Sequence, residues 1–436
     1  MASFSGNIVP NITIIGAFND YLCPRIDMTT QTSRTPVSLP PTEPFTLSLI
    51  CGLAFFIPIS TSVTGGLMLL ILLSWCLGGQ LKAKLAYYWA HPLAMVILSI
   101  FAVSLLSISY SVASWSEIVS RLKALMRFAY IPILSYYLQP NYAPRWVAMA
   151  FVSAMSLTLV LGMAKLGLDW PIGLKYSDAA VFKSYIKTNF FMSIAAFMVL
   201  YASYQWPRYR KGLVLLLALM VYYILFMSAG RVGYGVLAIL AIYSSYCWSK
   251  WRGLGIGVLV ILGIMLGAYY GSPTFAARIK AMSYDWVLYE QGHIFESSLG
   301  SRWHFYIGSL KLMAQAPWFG WGIASFKAAY APLVSQGFLA TDNPHNEYLR
   351  WAVELGIVGL LLLGYLFYQQ YRALKMTCTA QEFLGKGILL AFMVGCMANS
   401  WLSDFTESYF YILATSSLLA SVTILKPKIW VKATLH

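Results

Sequence analysis

Residues 299–330, LGSRWHFYIGSLKLMAQAPWFGWGIASFKAAY, and residues 342–360, DNPHNEYLRWAVELGIVGL, form most of the one long interruption in an otherwise apolar sequence. Arg302, a turn rich in proline and glycine at 317–322, and His345 all lie in this interruption, just before a new apolar segment. Polar groups kept at the edge of the hydrocarbon in a membrane protein usually serve a substrate. We therefore predict that this stretch carries the functional site.

The composition places the bulk of the chain in lipid. Of its 436 residues, 59% are hydrophobic and only 10% are charged, and the mean hydropathy is +0.67. A soluble domain carries about 25% charged residues, so this chain has too few polar groups to cover a globular surface. Because alternating-strand patterns are absent, we predict an all-α polytopic membrane protein and not an outer-membrane barrel.

Apolar segments near the length of about 20 residues that a spanning helix needs predict about 12 transmembrane helices. Residues 1–42 and 426–436 are predicted to be tails, 43–270 to hold the first nine helices, 271–346 to form a large helical loop, and 347–425 to hold the last three helices. The predicted spans are 44–60, 62–79, 91–110, 124–140, 146–168, 189–206, 211–229, 232–249, 254–270, 347–371, 384–401 and 406–425.

The positive charges predict the orientation. The net charge of +15 comes from 30 Lys and Arg against 15 Asp and Glu, and short connections such as WPRYRKG (206–212) and CWSKWRG (247–253) are dense in cations. Such short loops are typical of the cytoplasmic side. An even number of spans then puts both termini inside and 271–346 outside, which in a bacterium is the periplasm.

Several outer segments keep cations against this rule. These cations serve either an anionic ligand or ordinary ion pairs and lipid headgroups. They are Arg121, Lys123, Lys175, Lys183, Lys187, Arg231, Arg278, Lys280, Arg302, Lys311 and Lys327.

Arg231 follows Ser228-Ala229-Gly230 and opens an apolar span. The start of a helix offers free backbone N–H groups and the positive end of the dipole, which suits phosphate. An arginine at that point adds a two-pronged donor. The alternative role for Arg231 is that of an interfacial arginine reaching to lipid headgroups.

Arg302 lies in the first turn of a predicted helix over 302–315, for which Ser301 is the expected N-cap. Trp303, Ile307 and Leu310 recur at helical spacing, so the helix is predicted to be amphipathic and to lie on the membrane surface. Arg302 then either binds a ligand or contacts headgroups. We expect His304, in the same turn, to be structural.

His345 is the candidate catalytic residue. With Asn343 as N-cap and Pro344 as the first helical residue, His345 falls in the first turn of the tenth span. The helix dipole there disfavours the imidazolium and keeps the ring neutral, as a general base requires. The alternative is a histidine that only caps the helix.

Nearby polar residues are possible supporting groups. We predict that Asn346 and Glu347 orient the His345 ring or an acceptor, and that Lys187 helps to guide an anion. Arg350 either supports the site or pairs with Glu354 within the helix, four residues away. We see no Walker A loop, no Gly-x-Ser-x-Gly motif and no metal-type Cys/His spacing, and the six cysteines imply no structural disulfide.

These motifs, taken in order, resemble the O-antigen ligase/polymerase superfamily of bacterial membrane glycosyltransferases. They are Ser-x-Gly-Arg at 228–231, Ser301-Arg302-Trp303, Pro317-x-x-Gly320-x-Gly322-x-x-x-Phe326, His345-Asn346-x-Tyr348-Leu349 and Glu354-x-Gly356-x-x-Gly359. The similarity extends over the multi-span plan, and its specific motifs lie between about 228 and 360.

The resemblance implies an inverting, metal-independent glycosyltransferase of the C type in the bacterial inner membrane, without a cofactor or nucleic-acid partner. The expected donor is O-antigen linked to undecaprenyl pyrophosphate, and the expected acceptor is a sugar of lipid A–core in the periplasm. By the same resemblance, Arg231 and Arg302 match the arginines associated with the pyrophosphate. His345 matches the histidine taken as base or acceptor-orienting group.

Three alternatives stay open at this point. An O-antigen polymerase and a protein O-oligosaccharyltransferase would use the same donor with another acceptor. A transporter of an anion or a lipid-linked sugar is the alternative from a different class. Transporters usually show internal repeats and helices broken near the midplane, and the sequence shows neither.

Overall fold

The computed structural model describes residues 43–139, 142–173, 179–291 and 298–422, and within these ranges all regular structure is helical. The two predicted tails lie outside the described residues, as do Cys23 and Lys175. The first half of the chain forms α1 Glu43–Phe56, α2 Thr61–Leu77, α3 Leu81–Ala90, α4 Ala94–Leu106, α5 Trp115–Met126, α6 Tyr130–Tyr137, α7 Ala143–Gly167, α8 Tyr185–Gln205 and α9 Arg210–Tyr222.

The second half contains the longest helices, and a π-helical turn at Tyr223–Met227 joins it to α9. Its helices are α10 Arg231–Gly271, α11 Pro273–Glu290, α12 Ser298–Gln315, α13 Phe326–Val334, α14 Glu347–Leu374, α15 Thr379–Gly395 and α16 Phe405–Leu419.

The structure supports a polytopic membrane protein but does not establish the predicted number of spans. Among the described residues, five helices are long and apolar enough to cross a membrane, or six if α2 and α3, bent by 116°, count as one span. The predicted span 124–140 is interrupted: it contains the end of α5, a 3-10 turn and the eight-residue α6. At about 1.5 Å per residue, α6 is too short to cross the bilayer alone.

α10 is a helical hairpin. Ser249 and Lys250 leave the helical conformation, and Lys250 has a φ of 48°. A Cβ on Gly257 would lie 2.7 Å from Ser245 Cβ and 3.6 Å from Ile242 Cα. In a straight helix residues 242 and 257 would be about 22 Å apart, so the two arms fold back on each other. The predicted boundary between spans at 249–254 falls at this turn.

α14 is broken at Gly356, where φ is 64° and ψ is −151°. The segment 317–321 fills the break: Ile357 N–H donates to the Pro317 carbonyl (2.8 Å), and Trp321 N–H donates to the Val353 carbonyl (2.9 Å). These contacts satisfy backbone groups that the broken helix leaves unpaired. The expectation that the chain has no broken helices is therefore wrong, and this argument against a transporter no longer holds.

The centre of the molecule is formed by α8 and α16. α8 packs along both α9 and α10, and every residue of α16 from Thr406 to Leu419 is buried. A smaller apolar cluster, made chiefly of α12 and α13 residues, packs on Val353 of α14. The loop region 298–346 is thus anchored on the bundle immediately before the break in α14.

Candidate functional site

Arg231 is positioned by a close contact between α8 and the start of α10. A Cβ added to Gly230 would lie 2.8 Å from the Asn189 side chain, and one added to Gly233 would lie 2.5 Å from it, so both positions need glycine. Asn189 donates to the Gly230 carbonyl at 3.1 Å, and Ser193 donates to the Gly233 carbonyl at 3.0 Å. The Ser-x-Gly-Arg motif therefore fixes the backbone from which the Arg231 side chain projects.

Arg231 forms an ion pair with Asp285 of α11, with 3.4 Å between Nη1 and Oδ2. Side-chain exposure is 23% for Arg231 and 9% for Asp285. Asp285 is buried and Arg231 is mostly covered, so the pair is shielded from solvent. The contact shows that α11 approaches the start of α10.

Arg302 lies near Arg231. Burial lowers the pKa of the Arg302 guanidinium, and the neighbouring charge of Arg231 acts in the same direction. In the described part of the chain no carboxylate lies within ion-pair distance of Arg302. The two guanidinium groups are therefore close enough to repel each other, and an anion between them would relieve that repulsion.

The cap predicted for this helix is wrong. α12 begins at Ser298, so Ser301 lies inside the helix and does not cap it. One turn after Arg302, the Tyr306 hydroxyl donates to the Met397 carbonyl at 2.9 Å and lies 3.3 Å from the His345 carbonyl. Tyr306 thus joins the Arg302 helix to the histidine.

The predicted helix start around His345 is also wrong. Asn346 is the N-cap of α14 and accepts from Leu349 N–H at 3.1 Å, while Asn343 accepts from His345 N–H at 2.9 Å. His345 precedes the helix in the left-handed region, with a φ of 52°. The argument from the helix dipole therefore does not apply to it. A non-glycine residue held there carries strain, a feature that clusters at functional sites.

The His345 ring is oriented by Asn399, a residue that sequence reasoning missed. His345 Nδ1 lies 3.2 Å from Asn399 Oδ1. A carbonyl oxygen only accepts, so this hydrogen bond requires the proton on Nδ1 and leaves the lone pair on Nε2. A histidine in this tautomer is able to take a proton through Nε2.

Asn399 belongs to the 396–404 loop, which connects α15 to α16 and clamps the histidine segment. Ser400 Oγ donates to Asn343 Oδ1 at 2.7 Å, and Asn346 Nδ2 donates to the Met397 carbonyl at 3.0 Å. The polar run Asn399-Ser400 and Ser403-Asp404 between two apolar segments was the available signal for this loop.

Glu347 anchors the same loop and does not contact the His345 ring. It is fully buried and accepts from Trp351 Nε1 (2.9 Å), Ser403 Oγ (2.7 Å) and the backbone N–H groups of Leu402 (3.1 Å) and Ser403 (3.3 Å). Four donors satisfy both carboxylate oxygens. The supporting role predicted for Glu347 is thus structural in this arrangement.

A buried ion network lies beneath the loop. Glu354 accepts from Arg121 Nε at 2.8 Å and from Arg350 Nε at 3.1 Å, so Arg350 forms the predicted pair within its helix. Lys187 is 3.3 Å from Asp404 and 2.9 Å from Glu407. Arg350 and Lys187 are therefore engaged by carboxylates next to the site.

An apolar cavity of about 530 Å³ is lined by Asn346, the residue that follows the histidine. It lies between α12 and the start of α14, on the side of α12 that carries the predicted apolar stripe. Its lining is Trp303, Tyr306, Ile307, Leu310, Asn346, Tyr348, Leu349 and Met397. The site thus combines two arginines, an oriented imidazole and an apolar space. Among the described residues no group of three or more His, Cys, Asp and Glu is placed to hold a metal ion.

The family comparison agrees with the motifs. Residues 212–364 match the family model described as O-Antigen ligase, which confirms the resemblance drawn from the motifs. The match contains Arg231, Arg302 and His345. It supports an activity of the O-antigen ligase or polymerase type in a multi-pass membrane protein. No curated protein matches the chain.

Proposed function

We propose that this membrane protein transfers O-antigen polysaccharide from undecaprenyl pyrophosphate to a sugar of lipid A–core, on the periplasmic side of the inner membrane. The observation that carries the proposal is that Arg302 has no carboxylate within ion-pair distance among the described residues and lies one turn before Tyr306, which contacts the oriented His345, inside the O-antigen ligase match. Tyr306 links the two by its hydrogen bonds.

The arginines account for the leaving group. When the bond between the anomeric carbon and the pyrophosphate oxygen breaks, the electron pair leaves with the pyrophosphate, which gains negative charge. Arg231, Arg302 and the N–H groups at the start of α10 stabilise that charge without reorganisation. Because these fixed cations supply the charge stabilisation, we propose that the transfer is independent of a metal ion.

The histidine accounts for the acceptor. A sugar hydroxyl is a weak nucleophile, and His345 Nε2 takes its proton as the new bond to the anomeric carbon forms. The Nδ1–H contact with Asn399 holds the ring in the tautomer that this step needs. Attack opposite the leaving pyrophosphate inverts the configuration in one displacement. The apolar cavity beside His345 is placed to receive a lipid-attached substrate from the bilayer.

Reconstitution tests the proposal. Purified protein is mixed with undecaprenyl-pyrophosphate-linked O-antigen and core-only lipopolysaccharide in detergent with EDTA, and the products are separated on a gel. We expect a ladder of modified lipopolysaccharide. Inhibition by EDTA that a divalent cation reverses would contradict metal independence.

The choice of acceptor decides between the ligase and its neighbours in the same family. The same donor is offered with a second lipid-linked repeat unit, and separately with a periplasmic protein. Transfer to either, with none to core lipopolysaccharide, would replace the ligase by a polymerase or a protein O-oligosaccharyltransferase. Movement of the donor across a vesicle membrane with no transfer would indicate a transporter.

A further inference from the structure

A third arginine lies near Arg231 and Arg302, since Arg278 and Arg231 are both within electrostatic range of the Tyr234 phenol. Arg278 lies in the second turn of α11, and its guanidinium carbon is 5.8 Å from the centre of the Tyr185 ring. The Tyr185 phenol also lies within electrostatic range of Arg302. Because Tyr185 is the first residue of α8, Arg278 and Arg302 converge on one helix end.

The docking of α11 explains this convergence. The ring of Phe275 packs on Tyr234 of α10, with 4.9 Å between the ring centres. Phe275, Arg278 and Asp285 are three and seven residues apart, a spacing that puts them on one helix face. This face meets the start of α10, where Asp285 contacts Arg231. α11 therefore brings one cation and one carboxylate to the donor site.

We infer that Arg278 is the third cation of the donor pyrophosphate site, and that Asp285 occupies Arg231 until the donor phosphates replace it. This inference rests on the proposed function. The three arginines minus Asp285 leave a net charge of about plus two, and a pyrophosphate diester carries about two negative charges. The occupied site is therefore close to neutral, which limits the cost of burying its charges.

The Arg231–Asp285 contact has the length that such an exchange needs. At 3.4 Å it is longer than the range of about 2.7–2.9 Å that is usual for a charge-assisted hydrogen bond. A phosphate oxygen is able to replace Asp285 at Arg231 with little loss of bonding.

The same charge count favours product release. After transfer the terminal phosphate keeps only its anhydride bond and gains a second ionisable oxygen, which has a pKa of about 6 as in a phosphate monoester, so the product carries about one more negative charge than the donor. The occupied site then has excess negative charge, and Asp285 repels the product. The return of Asp285 to Arg231 restores the empty site.

Binding of inorganic pyrophosphate to the purified full-length protein in detergent, measured by calorimetry, tests the inference. We expect R278Q to weaken binding by about tenfold, in the lower part of the range for a hydrogen bond to a charged group. D285N removes the competing carboxylate, so we expect binding several-fold tighter than wild type. K280Q, an exposed cation two residues from Arg278, is the matched control and should change the Kd by less than about twofold.

The outcomes separate this inference from the proposed function. One outcome would remove Arg278 from the site and leave the donor proposal standing. In that outcome the wild-type protein binds pyrophosphate, R302A raises the Kd, and the Kd of R278Q equals that of K280Q. Weaker binding by D285N would make Asp285 a positioning residue for Arg231 and overturn its role as a placeholder. R278K keeps the charge and is the control for misfolding. An affinity for pyrophosphate between those of wild type and R278Q supports the inference. An affinity as low as that of R278Q, with an unchanged melting temperature, supports a bidentate contact.

Discussion

His345 Nδ1 lies 3.2 Å from Asn399 Oδ1, although the two residues are 54 positions apart in the chain. One residue precedes α14 and the other lies in the loop between α15 and α16. The contact decides which ring nitrogen carries the proton. The surroundings of the candidate catalytic residue are thus assembled from two loops that meet only in the folded protein.

Replacing Asn399 by alanine should slow transfer. Without the Oδ1 acceptor the imidazole samples the wrong tautomer and orientation, so we expect kcat to fall by about 10- to 100-fold, the range for loss of a group that orients a histidine ligand. The KM for the donor should stay near the wild-type value. Ser99→Ala is the control, at a partly exposed residue of α4 whose hydroxyl donates to the Met95 carbonyl in the same helix. An unchanged kcat in the reconstituted assay would show that Asn399 does not orient the ring.

Replacing His345 should separate chemistry from folding. His345→Ala should abolish transfer while membrane insertion remains intact. His345→Gly removes the same imidazole but relaxes the left-handed backbone, because glycine adopts positive φ without cost. We expect the glycine variant to be as stable as wild type or more stable by about 1 kcal/mol, and equally inactive.

Thermal unfolding in detergent and the ladder assay give the two readouts for His345. Turnover by either variant at more than a small fraction of the wild-type rate would remove His345 from the mechanism. A glycine variant that is inactive but also unfolded would contradict the claim that this backbone is strained.

Arg302→Lys should restore little of the activity that Arg302→Ala loses. A lysine keeps the charge but lacks the planar fork that binds two phosphate oxygens together. We expect kcat/KM for the donor to fall more than kcat/KM for the acceptor in both variants. Lys311→Ala, at an exposed residue of the same helix, is the control. Full activity of the lysine variant would show that only charge matters at this position.

Local patterns indicated much of the fold, since apolar runs and Lys/Arg-rich connections placed most helices and the turn at Lys250. They missed α3 and α5. α3 carries two lysines that lower its hydropathy, while the start of α5 was signalled by the Ser114–Glu117 capping box. The Asn399 contact and the break at Gly356 depend on residues distant in sequence, which periodicity does not report. The motifs that contain Arg231, Arg302 and His345 are local, so the sequence alone singles these residues out as candidates.

Gly356→Ala should destabilise the protein and damage the site. A Cβ there would lie 2.5 Å from the Trp318 carbonyl carbon and oxygen, and φ of 64° with ψ of −151° is a conformation almost limited to glycine. We expect a loss of about 2–4 kcal/mol in unfolding free energy, from strain combined with overpacking.

Gly364→Ala serves as the control for Gly356→Ala. It lies in the same helix, where a Cβ would meet nothing within 4 Å, so it should be neutral or slightly stabilising. Melting temperatures in detergent measure both variants. Equal melting temperatures would show that the 317–321 segment does not depend on the break.

Glu354→Gln should be costly because Glu354 is the shared partner of two arginines. Its carboxylate lies 2.8 Å from Arg121 and 3.1 Å from Arg350, and the Glu354 and Arg121 side chains are only 2% and 5% exposed. Removing the negative charge takes the nearest carboxylate from the buried Arg121 and from Arg350, which is 20% exposed, and leaves Arg121 only the more distant Glu347 at 3.9 Å. Breaking a buried pair typically costs about 3–5 kcal/mol, and we expect a loss near the lower end. Glu382→Gln is the matched control, because Glu382 pairs with Lys386 at the same spacing but with its side chain 32% exposed. An exposed pair contributes at most about 1 kcal/mol.

Melting temperatures of the two variants, compared with wild type, should therefore fall sharply for position 354 and little for position 382. Equal small shifts would mean that the arginines beneath the 396–404 loop find other partners, and the loop would then not depend on this network.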